Sequence, residues 1–503
     1  MNHLRLLLTA LLLAVLATIC ALAQTPTTSC PNNPQDDDLI AGSTCDQYNT
    51  LTSGQFQATP LIDGSMQDYG DLDHNVVSLY GTYGNNEKTA SGAAHSHYAQ
   101  GSTLAGQIAP LCPDGTTNCS DASKAIVFLY IGFSNTDIEI GGGSSDAWDN
   151  QDPHQAHLNG QPCSTLCENL NNPDMVPAWN QLAGDPTIQQ SLLYLIYSPS
   201  TPLVGPHVVV FNGALGGQTL SKWDPTSIGY YAQSGANCPW DHQSSLDSEC
   251  NYVRVKNDLT RNFYTQTDHY TEAQVQAVFI KTADSFPQCD LKKLYCSPGY
   301  TEPDAYTAER YLGDILRYLK CCKTNPYGTP PVPRYPNLKQ VFITSRIYGG
   351  YGNGTAHGCL NPEPFAYELG FTVQRAIVAQ INQTNNITNT DPYSGQLDYT
   401  VAPWFDWAPY LWASGTNISP GNLLNWCDST TTHDPHCANN PGDVRYGDLI
   451  YPNYFGDHIH PTANGQAKVA NQLLRWIQGT LPSAQSYISD WLGVGTSTPW
   501  IQK

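Results

Sequence analysis

A serine placed where a buried strand gives way to a turn carries its hydroxyl at the carboxyl edge of a sheet. The chain offers such a serine in Ile131-Gly132-Phe133-Ser134-Asn135-Thr136-Asp137. A helix following that turn aims backbone N–H groups and the positive end of its dipole at the same point. A hydroxyl becomes a nucleophile when a base takes its proton, and the base works best when a third group orients it. The far end of the chain supplies both, in Gly456-Asp457-His458-Ile459-His460-Pro461-Thr462. Asp457 and His460 stand close enough for the carboxylate to accept from one ring nitrogen while the other nitrogen faces the hydroxyl. The chemistry this trio supports is acyl transfer: Ser134 as nucleophile, His460 as general base and then acid, Asp457 as orienting partner. Such a reaction calls for no cofactor.

Other spacings suggest other chemistries. His458 and His460 form an H-x-H pair of the kind that holds a metal, yet no further tight cluster of His, Asp or Glu accompanies it, and no metal is expected. His95-Ser96-His97 lies in Gly/Ala/Ser-rich sequence that reads as a surface loop. Asp137 and Glu139 are spaced like a carboxylate pair, but glycoside hydrolysis needs two carboxylates facing one bond across a cleft. Two on one short turn read as solvated or capping groups. Arg346 follows an apolar run, where it could contact an anionic substrate group or pair with an acid. Trp404 and Trp426 lie in an aromatic-rich stretch that could stack on sugar rings, against the plainer role of packing beneath a long loop.

Taken together, these blocks resemble the SGNH or GDSL-type hydrolases, a superfamily of esterases and lipases built on a flavodoxin-like sheet. The family's Gly-x-Ser-x block looks like Gly132-Phe133-Ser134-Asn135. Its Asp-x-x-His-Pro block, just before the last helix, is similar to Asp457-His458-Ile459-His460-Pro461. Its second block, an Asn followed by a Gly after the second strand, resembles Asn212 through Gly217. The resemblance spans residues 125–478, and residues 340–412 are similar to secreted bacterial members. It implies an ester hydrolase whose oxyanion is held by the backbone N–H groups of Ser134 and Gly217.

The third block departs from the family. Where members carry Gly-x-Asn-Asp after the third strand, this chain has Lys281-Thr282-Ala283-Asp284, so Asp284 stands at the oxyanion position. An ionised carboxylate there repels a developing negative charge. Three arrangements stay open: a protonated Asp284, a hole built from the two backbone N–H groups, or Lys281 or Thr282 as donor. The Gly-x-Ser-x-Gly elbow of α/β-hydrolases is absent, which disfavours that fold. Two function classes follow. One is a secreted serine esterase, with carbohydrate O-acyl groups among its candidate substrates. The other is a catalytically silent extracellular protein that keeps the fold for glycan binding or surface assembly.

Four short apolar runs must position these residues: 125–131, 207–211, 275–280 and 340–344. Each is continuous and rich in β-branched or aromatic residues, as strands buried on both faces of a parallel sheet are. Amphipathic helices are expected at 187–197, 305–319, 364–381 and 463–477. Strands alternating with helices imply a three-layer α/β/α sandwich with a parallel sheet. Residues 61–503 read as one domain, with disulfide-stapled insertions at about 138–205 and 391–455, because the spacing between the first two runs far exceeds the roughly 30 residues of a bare crossover.

Composition narrows the setting. The chain of 503 residues has 43 acidic against 22 basic side chains and a formal charge of −21. No basic surplus exists to displace counterions from phosphates, which excludes nucleic acid and anionic membranes as partners. The expected partner is a small-molecule or glycan ester. With 11 Trp, 30 Tyr and 12 Phe the chain has ample area to bury. Residues 1–23 have the charge, apolar run and Ala21-Leu22-Ala23 ending of a signal peptide, and 24–60 read as a flexible tether. No later stretch is apolar enough to span a bilayer. The expected location is extracellular or periplasmic, where disulfides are the default. Sequence-adjacent pairs among the 16 cysteines, such as Cys112/Cys119, Cys163/Cys167, Cys289/Cys296 and Cys427/Cys437, could each staple one loop. Removing Cys20 with the leader leaves an odd number.

Overall fold

The computed structural model describes residues 96–141, 192–197, 207–214, 218–225, 251, 252, 255, 256, 259, 270–284, 287–321 except 292, 294 and 295, 333–345, 365–384, 390–408, 411 and 463–477. Five strands form one sheet: β1 (Ile126–Ile131), β2 (Val208–Asn212), β3 (Val275–Thr282), β4 (Gln340–Ser345) and β5 (Trp404–Trp407). Their spatial order is β2-β1-β3-β4-β5, and every neighbouring pair runs parallel. The α/β class with a parallel sheet is therefore as the apolar runs imply. Every residue of β1, β2, β4 and β5 is buried, which is why those runs are continuous rather than alternating.

The helices are α1 (Ser96–Ala105), α2 (Ser134–Gly141), α3 (Leu192–Tyr197), α4 (Leu220–Trp223), α5 (Asp304–Lys320), α6 (Phe365–Thr384) and α7 (Ala463–Ile477). One set consists of α2, α3 and α7, each packed on the other two; in another, α6 packs on α5 and α1, and α4 packs on α5. Trp476 of α7 lies edge-on against Phe342, with ring centroids 5.0 Å apart, and against Phe279, which fixes α7 over β3 and β4. Helix α5 opens with Asp304 and closes with Arg317 and Lys320, charges that complement its dipole. Among the described residues no helix is long and apolar enough to cross a membrane.

Two of the expected loop staples fall within the described residues, and both form: Cys112–Cys119 and Cys289–Cys296. Cys321, just past α5, is also disulfide-bonded. The leader, the tether, the Cys163/Cys167 and Cys427/Cys437 pairs and most of both expected insertions lie outside the described residues.

Two readings of the chain need correction. The stretch 391–455 does not begin as an insertion, because it contains β5, an edge strand of the sheet. Glutamine amides of α6 hold it in place. Gln380 donates to the Leu397 and Pro403 carbonyls, both at 2.8 Å, and accepts from Phe405 N at 3.1 Å. Gln383 donates to the Gly395 carbonyl at 2.9 Å and accepts from Leu397 N at 2.6 Å. Helix α5 comes so close to this segment that a Cβ on Gly313 would fall on the Ser394 carbonyl oxygen. Second, His97 belongs to α1 and is fully buried, not part of a surface loop. Its Nε2–H donates to the Phe405 carbonyl at 3.2 Å, and Nδ1 accepts from the Tyr399 hydroxyl at 3.0 Å. Its ring stacks on Trp404 at 5.1 Å, and burial pushes its pKa down to about 3.

Gly313→Ala should lower stability by about 1–3 kcal/mol, because the close helix–loop approach has no room for a methyl group; a shift in the urea midpoint measures it. His97 predicts a pH dependence. The unfolded imidazole binds a proton below about 6.5 and the folded one only below about 3, so this residue's contribution falls as pH drops through that window. The stability difference between wild type and His97→Gln should change by about 1.4 kcal/mol per pH unit there, with wild type losing ground toward acid. The comparison with a variant matters because Asp304, raised to about 6, titrates in the opposite sense.

Candidate functional site

At the carboxyl end of β1 the chain turns within two residues. Gly132 has φ +154°, and a Cβ there would strike the Thr136 hydroxyl and lie 2.9 Å from the Lys281 carbonyl, so this corner requires glycine. Ser134 then opens α2 and is 3 % exposed, with Asn135 and Thr136 fully buried behind it. The first-turn N–H groups of α2 lie at the carboxyl edge of the sheet, where the helix dipole is positive. Ser134 thus stands at the strand-to-helix corner.

The neighbouring strand ends are bound to this corner. Gly213 N donates to the Tyr130 carbonyl at 2.7 Å, so β2 stays paired one residue beyond its last strand position. Asn212 donates through Nδ2 to Asp137 Oδ1 at 2.7 Å and accepts from Ala214 N at 3.1 Å. Glu139 and Lys281 form an ion pair with both side chains buried, tying α2 to β3. Asp137 and Glu139 are thus committed to Asn212 and Lys281, neither solvated nor facing one another across a cleft. The Lys281 ammonium, one of the donors considered for the oxyanion hole, is thus paired with Glu139.

Helix α4 closes the third side. Trp223 Nε1 donates to the Gly132 carbonyl at 3.2 Å and to the Gln218 carbonyl at 3.1 Å. Leu220 N donates to the Ala283 carbonyl at 3.0 Å. One short helix therefore spans the ends of β1 and β3. Asp284, 7 % exposed, follows immediately and opens on a cavity of about 350 Å³. Helix α5 contributes Asp304, Thr307 and Tyr311 to its lining, one face at i, i+3 and i+7. The turn 299–302 supplies the rest of that side, including Tyr300, which is 52 % exposed.

Three carboxylates, Asp284, Glu302 and Asp304, line the cavity. The Arg310 guanidinium grips Glu302 at 3.0 and 2.5 Å and holds its carboxyl below the usual range. Asp304 accepts from the Gln288 and Cys289 amides, yet burial, aided by the charge of Asp290, pushes it up to about 6. Burial and the Asp284 carboxylate raise the Tyr311 phenol.

Of the other residues singled out in the sequence, Asp457, His460, Gly217, Arg346 and Trp426 lie outside the described residues. Helix α7, which begins at Ala463 just after the Asp457–His460 block, packs on α2. Trp404 is fully buried: its Nε1 donates to the His97 carbonyl at 2.8 Å and its ring packs on His97 and Phe342. It has no solvent-facing ring for a sugar, so its part is core packing. The cavity is what sequence reasoning missed. Its signal was Thr301-Glu302-Pro303-Asp304 opening an amphipathic helix, with Thr307 and Tyr311 on the same face. Among the described residues no group of three or more His, Cys, Asp or Glu could hold a metal ion. No family model, no curated protein and no solved structure matches the chain.

The buried ion pair makes a sharp test of this geometry. Lys281→Met alone should cost about 3–5 kcal/mol by stranding the Glu139 charge, whereas Lys281→Met with Glu139→Leu should recover most of that loss. Guanidinium unfolding midpoints of the single and double variants measure the difference.

Proposed function

We propose that the chain is a serine ester hydrolase of the SGNH type, working outside the cytoplasm on a three-layer, flavodoxin-like α/β/α scaffold. The observation that carries this reading is the position of Ser134. It is the first residue of a helix at the carboxyl end of a central parallel strand, and the helix that follows the Asp457–His460 block packs against its own. Strand order β2-β1-β3-β4-β5 reverses direction of growth between β1 and β3, and ligands of open parallel sheets bind at that switch point.

In this mechanism His460 removes the proton of Ser134 as the hydroxyl attacks the ester carbonyl, and Asp457 holds the imidazole tautomer and stabilises the imidazolium. The backbone N–H of Ser134, with that of Gly217, donates to the oxyanion. His460 then protonates the leaving alcohol, and water releases the acyl group by the reverse path. Asp284 supports a second reading. A carboxylate just past the third strand, where the family donates a hydrogen bond, fits a catalytically silent protein that binds glycans or serves surface assembly.

Turnover of a p-nitrophenyl acetate panel separates the two. Ser134→Ala should lower kcat/KM by at least about a thousandfold with unchanged folding. Equal rates in wild type and variant would overturn the esterase reading and favour the silent scaffold.

A further inference from the structure

The cavity beside β3 lies against the elements that build the Ser134 corner. Ser221, on its wall, belongs to α4, the helix that bonds both the Gly132 and the Ala283 carbonyls. Asp284 is shared between the strand end and the cavity. A ligand seated there therefore lies against the same rigid frame that fixes Ser134.

Its walls specify a type of ligand. The volume, about 350 Å³, falls within the roughly 300–1,000 Å³ range of small-molecule sites, but at the small end. Ser221, Thr301, Thr307 and Tyr311, each carrying a hydroxyl, and Gln288, carrying an amide, line it. A hydroxyl is one donor and two acceptors, and an amide offers both kinds, so a single internal bond does not exhaust any of them. Among the described residues no Leu, Ile, Val, Met or Phe lines it, so its described walls are polar. Tyr300 adds one exposed aromatic ring. Three carboxylates also face it: Glu302, gripped by Arg310, Asp304, which accepts two backbone N–H groups at the start of α5, and Asp284. Carboxylate oxygens are acceptors for the hydroxyls of a neutral ligand.

We propose that this cavity binds a neutral sugar ring, with hydroxyls taken up by the Ser221, Thr301, Thr307, Tyr311 and Gln288 groups and one face laid on Tyr300. The inference rests on the esterase reading for calling that ring the alcohol part of the substrate. Binding itself does not depend on it.

The experiment uses the full-length Ser134→Ala protein, which on the esterase reading does not turn substrate over, and reads saturation-transfer NMR against methyl glycosides of the common hexoses and pentoses at millimolar concentration. At least one glycoside should show transfer, with affinity about fivefold to tenfold weaker in Ser134→Ala/Tyr300→Ala, a change on an exposed side chain that leaves the melting temperature in place. A second variant, Thr307→Val, removes a hydroxyl at constant shape and should weaken the same glycoside. No transfer from any glycoside overturns the proposal. Transfer unaffected by both substitutions overturns it too, as does preference for ethanolamine, a cationic probe, over every neutral sugar. Failure of the esterase reading is read separately, as equal p-nitrophenyl acetate turnover by wild type and Ser134→Ala.

Discussion

Strand β1 is hydrogen-bonded to β2 on one side and to β3 on the other, and all six of its residues are buried. A strand held in this way has no place for a reactive polar group along its length, since burying one without partners costs several kcal/mol. The first position that can present one is past Ile131. The rest of the carboxyl edge follows from this constraint. The chain must leave the sheet at once, so Gly132 takes a backbone angle closed to other residues, and α2 begins at Ser134. The turn must be fixed, and it is anchored from three sides: by the Asn212–Asp137 bond, the Lys281–Glu139 pair and the Trp223–Gly132 bond.

The same constraint explains what could be read in the sequence. Runs buried on both faces are continuous, so β1 to β4 were visible as apolar blocks, and α5 and α7 as strongly amphipathic segments between polar turns. β5 was not visible because Trp-Phe-Asp-Trp is four residues long and lies in a stretch rich in aromatics throughout. Its place comes from the side-chain amides of Gln380 and Gln383, contacts between residues far apart that no local pattern encodes. α1 was missed for a related reason. Ser-His-Tyr-Ala-Gln-Gly-Ser-Thr-Leu-Ala has no apolar period, and the helix is held by His97 bonding to Phe405 and Tyr399.

For the site, sequence and structure differ by residue. Ser134 was legible because its surroundings, an apolar run, a glycine and small polar residues, are local. The fates of Asp137, Glu139 and Lys281 were not. Spacing alone makes two acids on one turn look solvated, and only the fold brings Asn212 and Lys281 to them. For Trp404 the structure decides between the two roles the sequence left open. An aromatic in a long loop looks available to a ligand, until strand pairing to Gln340 turns it into the core beside Phe342.

The Ser134 corner and the cavity meet in α4. Its four residues, Leu220–Trp223, touch the β1 corner through Trp223, the β3 end through Leu220, and the cavity through Ser221. Trp223 is buried with its indole N–H bonded to two carbonyls, and Tyr252 donates to the Trp223 carbonyl at 2.8 Å while packing edge-on against its ring. An element this short has little helical stability of its own and takes its position from those contacts. Shifting it by even an ångström would move the Ser134 corner and the cavity wall together. On the reading proposed above, a group bound in the cavity and a bond presented at Ser134 would be held in one frame, the condition under which binding far from the reacting bond lowers a barrier instead of merely tightening a complex.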